Sequence, residues 1–133
     1  MLKTILLVDN DPLFIEQIRQ HFLGKGYRIL CARSQAEAER ILESTQPDVM
    51  VTEAVLERPD AGFCLAWKAK RLYPGLKVAM VSSVTWHTGL YFSLSTPEDR
   101  AWIKADAFLD KPIRVEELES VIVHSLMPVT KTG

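Results

Sequence analysis

The sequence predicts one α/β domain in (βα)5 order, a parallel five-stranded sheet with a helix following each strand. Short, continuously apolar runs such as Ile5 to Val8 recur along the chain, as suits strands buried on both faces. Between them lie stretches with apolar residues at helical spacing, bounded by capping and breaking residues. Length agrees, since 133 residues with 47% hydrophobic and 25% charged side chains fit one soluble globule and leave little room for a second.

The first strand is expected over Ile5 to Val8. Asp11 then reads as an N-cap and Pro12 as the first helical residue. The helix that follows carries Phe14, Ile18 and Phe22 on one face and stops near Gly24 to Gly26. Arg28 to Ala32 is the second strand. Ser34 with Glu37 forms a capping-box signature before a helix whose inner face is Ala38, Ile41 and Leu42, and Pro47 closes that unit. Val49 to Thr52 is the third strand, ending at Glu53, and Pro59 to Gly62 is a turn-rich loop. A helix carrying Phe63, Trp67, Lys70 and Arg71 runs to about Tyr73, ahead of Pro74-Gly75. Val78 to Val81 is the fourth strand. The segment from Val84 to Thr96 shows no clear period, and a short fourth helix is expected from Thr96 or Pro97. Ala107 to Leu109 is the fifth strand. Val115 to Leu126 is the last helix, with Leu118, Ile122 and Leu126 inward.

Bulk properties exclude several function classes. A formal net charge of -1 gives no electrostatic reason to expect nucleic acid or an anionic membrane as partner. No apolar run approaches a bilayer-spanning length, and the opening MLKTILLVDND is too short and too quickly acidic for a signal peptide. Cys31 and Cys64 form no CxxC pair and read as small buried apolar residues in a reducing compartment. His21, His87 and His124 lack metal-ligand spacing, so a zinc site is not expected. The cytoplasm is the expected location.

In open parallel sheets ligands collect outside the carboxyl ends of the strands. That rule selects Asp9, Asn10, Glu53, Ser82 and Lys111, each of which ends a strand or follows one closely. Around them the stretches TILLVDNDP, PDVMVTE, VAMVSS and ADAFLDKP resemble, in order and at similar intervals, the motifs of the receiver domain of two-component response regulators. The resemblance covers nearly the whole chain: a receiver-like domain over residues 1–127, with 128–133 as a disordered tail or linker stub. It implies a flavodoxin-like, doubly wound sheet in the order 2-1-3-4-5.

The resemblance also implies roles. Glu53 stands where the family carries its phosphorylated aspartate. Asp9 and Asn10 match the acidic pair that helps to hold magnesium, Ser82 the hydroxyl switch residue, Lys111 the lysine of the lysine-proline motif and Phe108 the switch aromatic. Asn10 offers an oxygen without charge, whereas magnesium favours carboxylates. With one carboxylate fewer, Lys111 neutralises more of the cluster. No cofactor is therefore required, and magnesium at Asp9 and Asn10 is expected to bind weakly. Glutamate is longer than aspartate by one carbon, ~1.5 Å. In-line phosphoryl transfer is intolerant of such displacement, a 1 Å error costing roughly 10²-fold. A carboxylate set that far forward can reach Ser82 or Lys111. Two alternatives stay open: a chain locked near the signalling-competent state, or a decayed pocket in which Glu53 merely pairs with Lys111.

Each assignment has a plainer counterpart. Asp9 is otherwise a solvated strand-end carboxylate, and Asp11 reads as a helix cap rather than a ligand. A serine such as Ser82 often only bonds backbone. Lys111 is held extended by the proline that follows, which aims it at the pocket. A buried core aromatic explains Phe108 equally well. Trp86, Tyr91, Phe92 and Trp102 suit a partner surface or the packing of their own loop. Lys68, Lys70 and Arg71 read as a solvated helix face.

The leading function is therefore an atypical receiver-like signalling and interaction module, not an enzyme and not regulated by ordinary aspartyl phosphorylation. Its protein partner, a histidine kinase, an output domain or a second copy, is expected on the fourth helix, fifth strand and fifth helix. An alternative is a phosphorylation-dependent receiver with residual or alternative acceptor chemistry. For that role Asp60 lies in the adjoining loop, Asp48 at the wrong end of its strand and Thr52 on the opposite face. A third possibility is a phosphatase of the DxD type, with Asp9 as nucleophile and Asp11 as acid. It fits less well, because Pro12 starts a helix at once and a late acidic pair is missing.

Overall fold

A computed structural model describes residues 3–82 and 104–126. The elements, in order, are β1 (Lys3–Val8), α1 (Pro12–Phe22), β2 (Tyr27–Ala32), α2 (Gln35–Ser44), β3 (Val49–Glu53), α3 (Ala61–Leu72), β4 (Lys77–Ser82) and β5 (Ala107–Asp110). A C-terminal helix (Val115–Val121) follows, continued by a π-helical turn (Ile122–Leu126). The five strands form one parallel sheet in the order β2-β1-β3-β4-β5. This is the flavodoxin-like arrangement expected.

The sheet carries a core on each face, and strand periodicity sorts the residues between them. Ile5, Leu7, Val49, Val51, Ala79 and Val81 pack against Phe14, Ile18 and Phe22 of α1 and Leu118 and Ile122 of the C-terminal helix. Leu6, Val8, Met50, Val78 and Met80 pack against Ala38 and Leu42 of α2 and Leu65, Ala66 and Ala69 of α3. The three central strands β1, β3 and β4 are thus covered on both sides, which is why they read as unbroken apolar runs.

Local signals set the helix ends. The Asp11 side chain accepts from the Leu13 N–H at 3.0 Å, and Ser34 Oγ accepts from the Glu37 N–H at 3.1 Å. Gly24 and Gly26 both have positive φ, 78° and 86°, in the turn from α1 to β2. A further clamp joins two units: the Glu57 carboxylate, from the β3–α3 loop, accepts from Gln35 N at 2.8 Å and Ala36 N at 3.2 Å. Its neighbour Arg58 donates to Gln35 Oε1 at 2.7 Å. Loop and helix start are thereby tied together.

Several boundaries differ from expectation. β1 and β2 begin earlier, at Lys3 and Tyr27, because those residues pair with each other in the ladder although their side chains are not apolar enough to announce it. α3 starts at Ala61, so Ala61 and Gly62 belong to the helix rather than to the loop. The C-terminal helix widens to a π turn after Val121, yet Leu118, Ile122 and Leu126 all face inward as expected. Cys31 and Cys64 are free and half-buried, not fully buried. Lys70 is not part of a solvated face: its ammonium lies 2.7 Å from Asp106 Oδ2, which also accepts from Val78 N. The segment Val84 to Thr96, the helix expected from Thr96 or Pro97, the aromatics Trp86, Tyr91, Phe92 and Trp102, His87 and the tail 128–133 lie outside the described residues.

Candidate functional site

The carboxyl ends of β1, β3 and β5 converge, and strand alternation decides which side chains meet there. Glu53 shares its face of the sheet with Val49 and Val51, the α1 side. Asp9 follows Val8 with its backbone still tied to the sheet, Asp9 N donating to Ala32 O at 3.0 Å. Lys111 follows Asp110 in the same manner, its N–H donating to Ser82 O at 2.8 Å. Asp9, Glu53 and Lys111 thus lie two, two and two residues beyond Leu7, Val51 and Leu109 of that face.

The three side chains form one buried cluster. Lys111 Nζ lies 2.8 Å from Asp9 Oδ2 and 3.3 Å from Glu53 Oε1. Asp9 is 1% exposed and Glu53 2%, so these charges depend on each other rather than on water. The remaining oxygens are also engaged. Asp9 Oδ1 accepts from Asp11 N at 2.9 Å, and Glu53 Oε2 accepts from Ala54 N at 2.7 Å and Val55 N at 3.2 Å. Burial pushes the Asp9 carboxyl up, against the lowering pull of Lys111 and the Asp11 N–H. The Phe14 ring lies under the ammonium, 4.3 Å from ring centroid to Nζ, and adds a cation–π contact.

The other sequence-selected residues fall around this cluster. Asn10 is exposed, as is Asp11, whose side chain caps α1. Ser82 is buried at the end of β4, on the register row that faces α2 and α3, and Phe108 packs half-buried against that same core. Thr52, also buried, donates from Oγ1 to Glu53 O. Asp60 is exposed at the start of α3 beside Arg58 and Cys64, and Asp48 lies at the opposite end of β3, accepting from Thr4 N at 2.8 Å. Among the described residues, no group of three His, Cys, Asp or Glu side chains is placed to hold a metal ion. Asp9 and Glu53 direct their oxygens to an ammonium and to backbone N–H groups, and Asn10 adds no charge, so the residues present do not fit a tightly held magnesium ion.

Four contributors were not singled out in the sequence. Phe14 was visible only as a core position, because its spacing is fully explained by the inner face of α1. Ala54 and Val55 act through backbone N–H groups that no side-chain pattern marks. Gly62 supports the loop: a Cβ there would lie 2.3 Å from Glu53 O and 2.6 Å from Ala54 Cα, while its N–H donates to Ala54 O at 2.9 Å. A glycine inside a predicted turn was the only available signal.

Comparison with known proteins agrees with this architecture. The sequence profile of the response regulator receiver domain matches residues 5–123. The chain is 31% identical over 130 residues to adventurous-gliding motility protein Z of Myxococcus xanthus, covering 96% of this chain and 9% of that protein. It is 28% identical over 119 residues to the probable transcriptional regulatory protein TcrX of Mycobacterium tuberculosis, covering 86% and 46%. It therefore spans less than half the length of either curated relative. A CheY-like receiver domain protein from Methanospirillum hungatei superposes with a TM-score of 0.75 at 25% identity, covering 92% of this chain and 91% of that one. The signal receiver domain of a signal transduction histidine kinase from Syntrophus aciditrophicus gives 0.74 at 24%, covering 98% and 95%. No helix among the described residues is long and apolar enough to cross a membrane. From profile, strand order and superposition together, the chain belongs to the response regulator receiver domains, the signalling modules of two-component systems that work with histidine kinases and output domains.

Proposed function

We propose that this receiver domain is an interaction module whose output does not depend on ordinary aspartyl phosphorylation. The observation that carries the proposal is the seat of the Glu53 carboxylate, at the position matching the family's acceptor. One oxygen faces Lys111 at 3.3 Å and the other accepts two backbone N–H groups at 2.7 and 3.2 Å. A nucleophile so engaged is not free for in-line attack, and the electrophile would have to displace a buried, charge-assisted contact. The domain itself performs no catalysis and needs no metal. Its partner, a histidine kinase or an output domain, meets it on the side of β5 and the C-terminal helix. Support for that side is the position of β5 at the sheet edge with Ala107, Phe108 and Leu109 half-exposed.

The test is incubation with a small acyl-phosphate donor and magnesium, followed by intact-mass measurement. The wild-type chain is expected to stay unmodified. Asn10→Asp combined with Glu53→Asp, which restores the shorter acceptor and the second acid, is expected to gain one phosphoryl group, ~80 Da. A stable adduct on the wild-type chain at a comparable rate sinks the proposal.

A further inference from the structure

We propose that the face formed by α2 and α3 joins two copies of this chain about a twofold axis. The outer stripe of α3 carries Trp67 and Leu72, 42% and 55% exposed, on a helix anchored from its inner side by Leu65 and by the small residues Ala61, Gly62, Ala66 and Ala69. Grooves flank this stripe. One, of ≈ 280 Å³, is lined by Phe63, Cys64, Trp67 and Lys68. The other, of ≈ 530 Å³, runs between α3 and α2, with Trp67, Lys68 and Arg71 on one wall and Glu39 and Glu43 on the other. Trp67 and Lys68 border both grooves, so an occupant of either touches the same pair.

Charge selects the occupant. The α2 wall is acidic and the α3 wall basic, so the patch is neutral as a whole but strongly divided. A uniformly acidic or basic partner meets one wall with repulsion. A second copy turned through a twofold axis presents its acidic wall to the first copy's basic wall, and the reverse, with Trp67 and Leu72 between them. Existing contacts do not oppose this. The Lys68–Glu39 pair is long, 3.4 Å, and half-exposed, and contributes little within one chain. The Arg71 guanidinium lies over the Trp67 ring at 4.7 Å, where it holds the indole in place and leaves its own N–H groups available to a carboxylate. This face is separate from β5 and the C-terminal helix, so pairing leaves the proposed signalling surface open.

Sedimentation equilibrium of the full chain from about 1 μM to about 1 mM tests the pairing. A reversible dimer is expected, weakened at least about tenfold by Trp67→Ala. Glu43→Lys and Arg71→Glu should each weaken it by a similar factor, and the two together should recover affinity to within about threefold of wild type. Circular dichroism identifies any variant that fails to fold, in which case Glu39→Lys, at another site on the acidic wall, replaces it. The proposal is overturned by a chain that stays monomeric throughout, by a dimer that these variants leave unchanged, or by failure of the double charge swap to recover binding.

Discussion

Lys111→Met retains most of the aliphatic stem but removes the ammonium that separates two buried carboxylates. In the folded protein Nζ lies 2.8 Å from Asp9 and 3.3 Å from Glu53. At an effective dielectric of about 20 these separations correspond to roughly 5–6 kcal/mol of attraction per pair before desolvation. Most of that is offset by the cost of burying the charges. The net loss on breaking such a contact by removing one partner is about 3–5 kcal/mol, and we take the lower end because Lys111 is 14% exposed and water can enter. Asp9, already raised by burial, then loses its principal lowering partner and moves further up. An acid whose folded pKa lies above its unfolded value contributes stability below the unfolded value and loses it as pH rises through the folded one. The variant should therefore be destabilised by about 3 kcal/mol at pH 7 and by progressively less as the pH is lowered toward the ordinary carboxylate range. Urea unfolding measures this as a drop in midpoint of about 1–3 M at pH 7, narrowing as the pH is lowered. A loss under about 1 kcal/mol at pH 7, or a loss independent of pH, would refute the claim that the ammonium is what holds the cluster together.

Two further outcomes follow from other contacts. Gly62→Ala should cost about 3 kcal/mol or more, read by the same urea titration, because the added Cβ meets main-chain atoms of Glu53 and Ala54 that cannot rotate aside. Glu119→Gln removes the carboxylate that lies 2.7 Å from His21 Nε2 and 3.5 Å from Lys25 Nζ. The His21 contact, with Lys25 nearby, holds Glu119 below its ordinary 4.5, so the stabilisation is present above that value and is lost as pH falls through the folded pKa. The variant should lose about 1 kcal/mol at pH 7 and converge on the wild-type chain in acid.

How far the sequence could be read depended on whether a feature is carried by a side-chain pattern. Ile5 to Val8, Val49 to Val51 and Val78 to Val81 are apolar because both sides of the strand are covered, so pattern and burial are the same fact. Ser34 and Asp11 announced helix starts because their oxygens are the caps. The meeting of Asp9, Glu53 and Lys111 was approachable through the strand-end rule, with alternation bringing them to one side. The engagement of Glu53 by Ala54 and Val55 was not legible, since backbone N–H groups exist at every non-proline position. Nor was the clamp by Glu57, because a charged residue in a loop looks like any other solvated carboxylate until the partner helix is in place. The pairing of Lys70 with Asp106 joins residues far apart in sequence and likewise awaited the fold.

The Glu57 clamp has a mechanical consequence. Between Glu53 and Glu57 the chain has only three intervening residues, and two of them, Ala54 and Val55, supply the N–H groups that grip the acidic side chain at the strand's tip. The same short span therefore ends in a hold on the first turn of α2. A shift of this span by more than the tolerance of a hydrogen bond would strip two amide groups of their acceptor at the neighbouring helix. Strand tip and helix start are geared to one another, so a push delivered at either is felt at both.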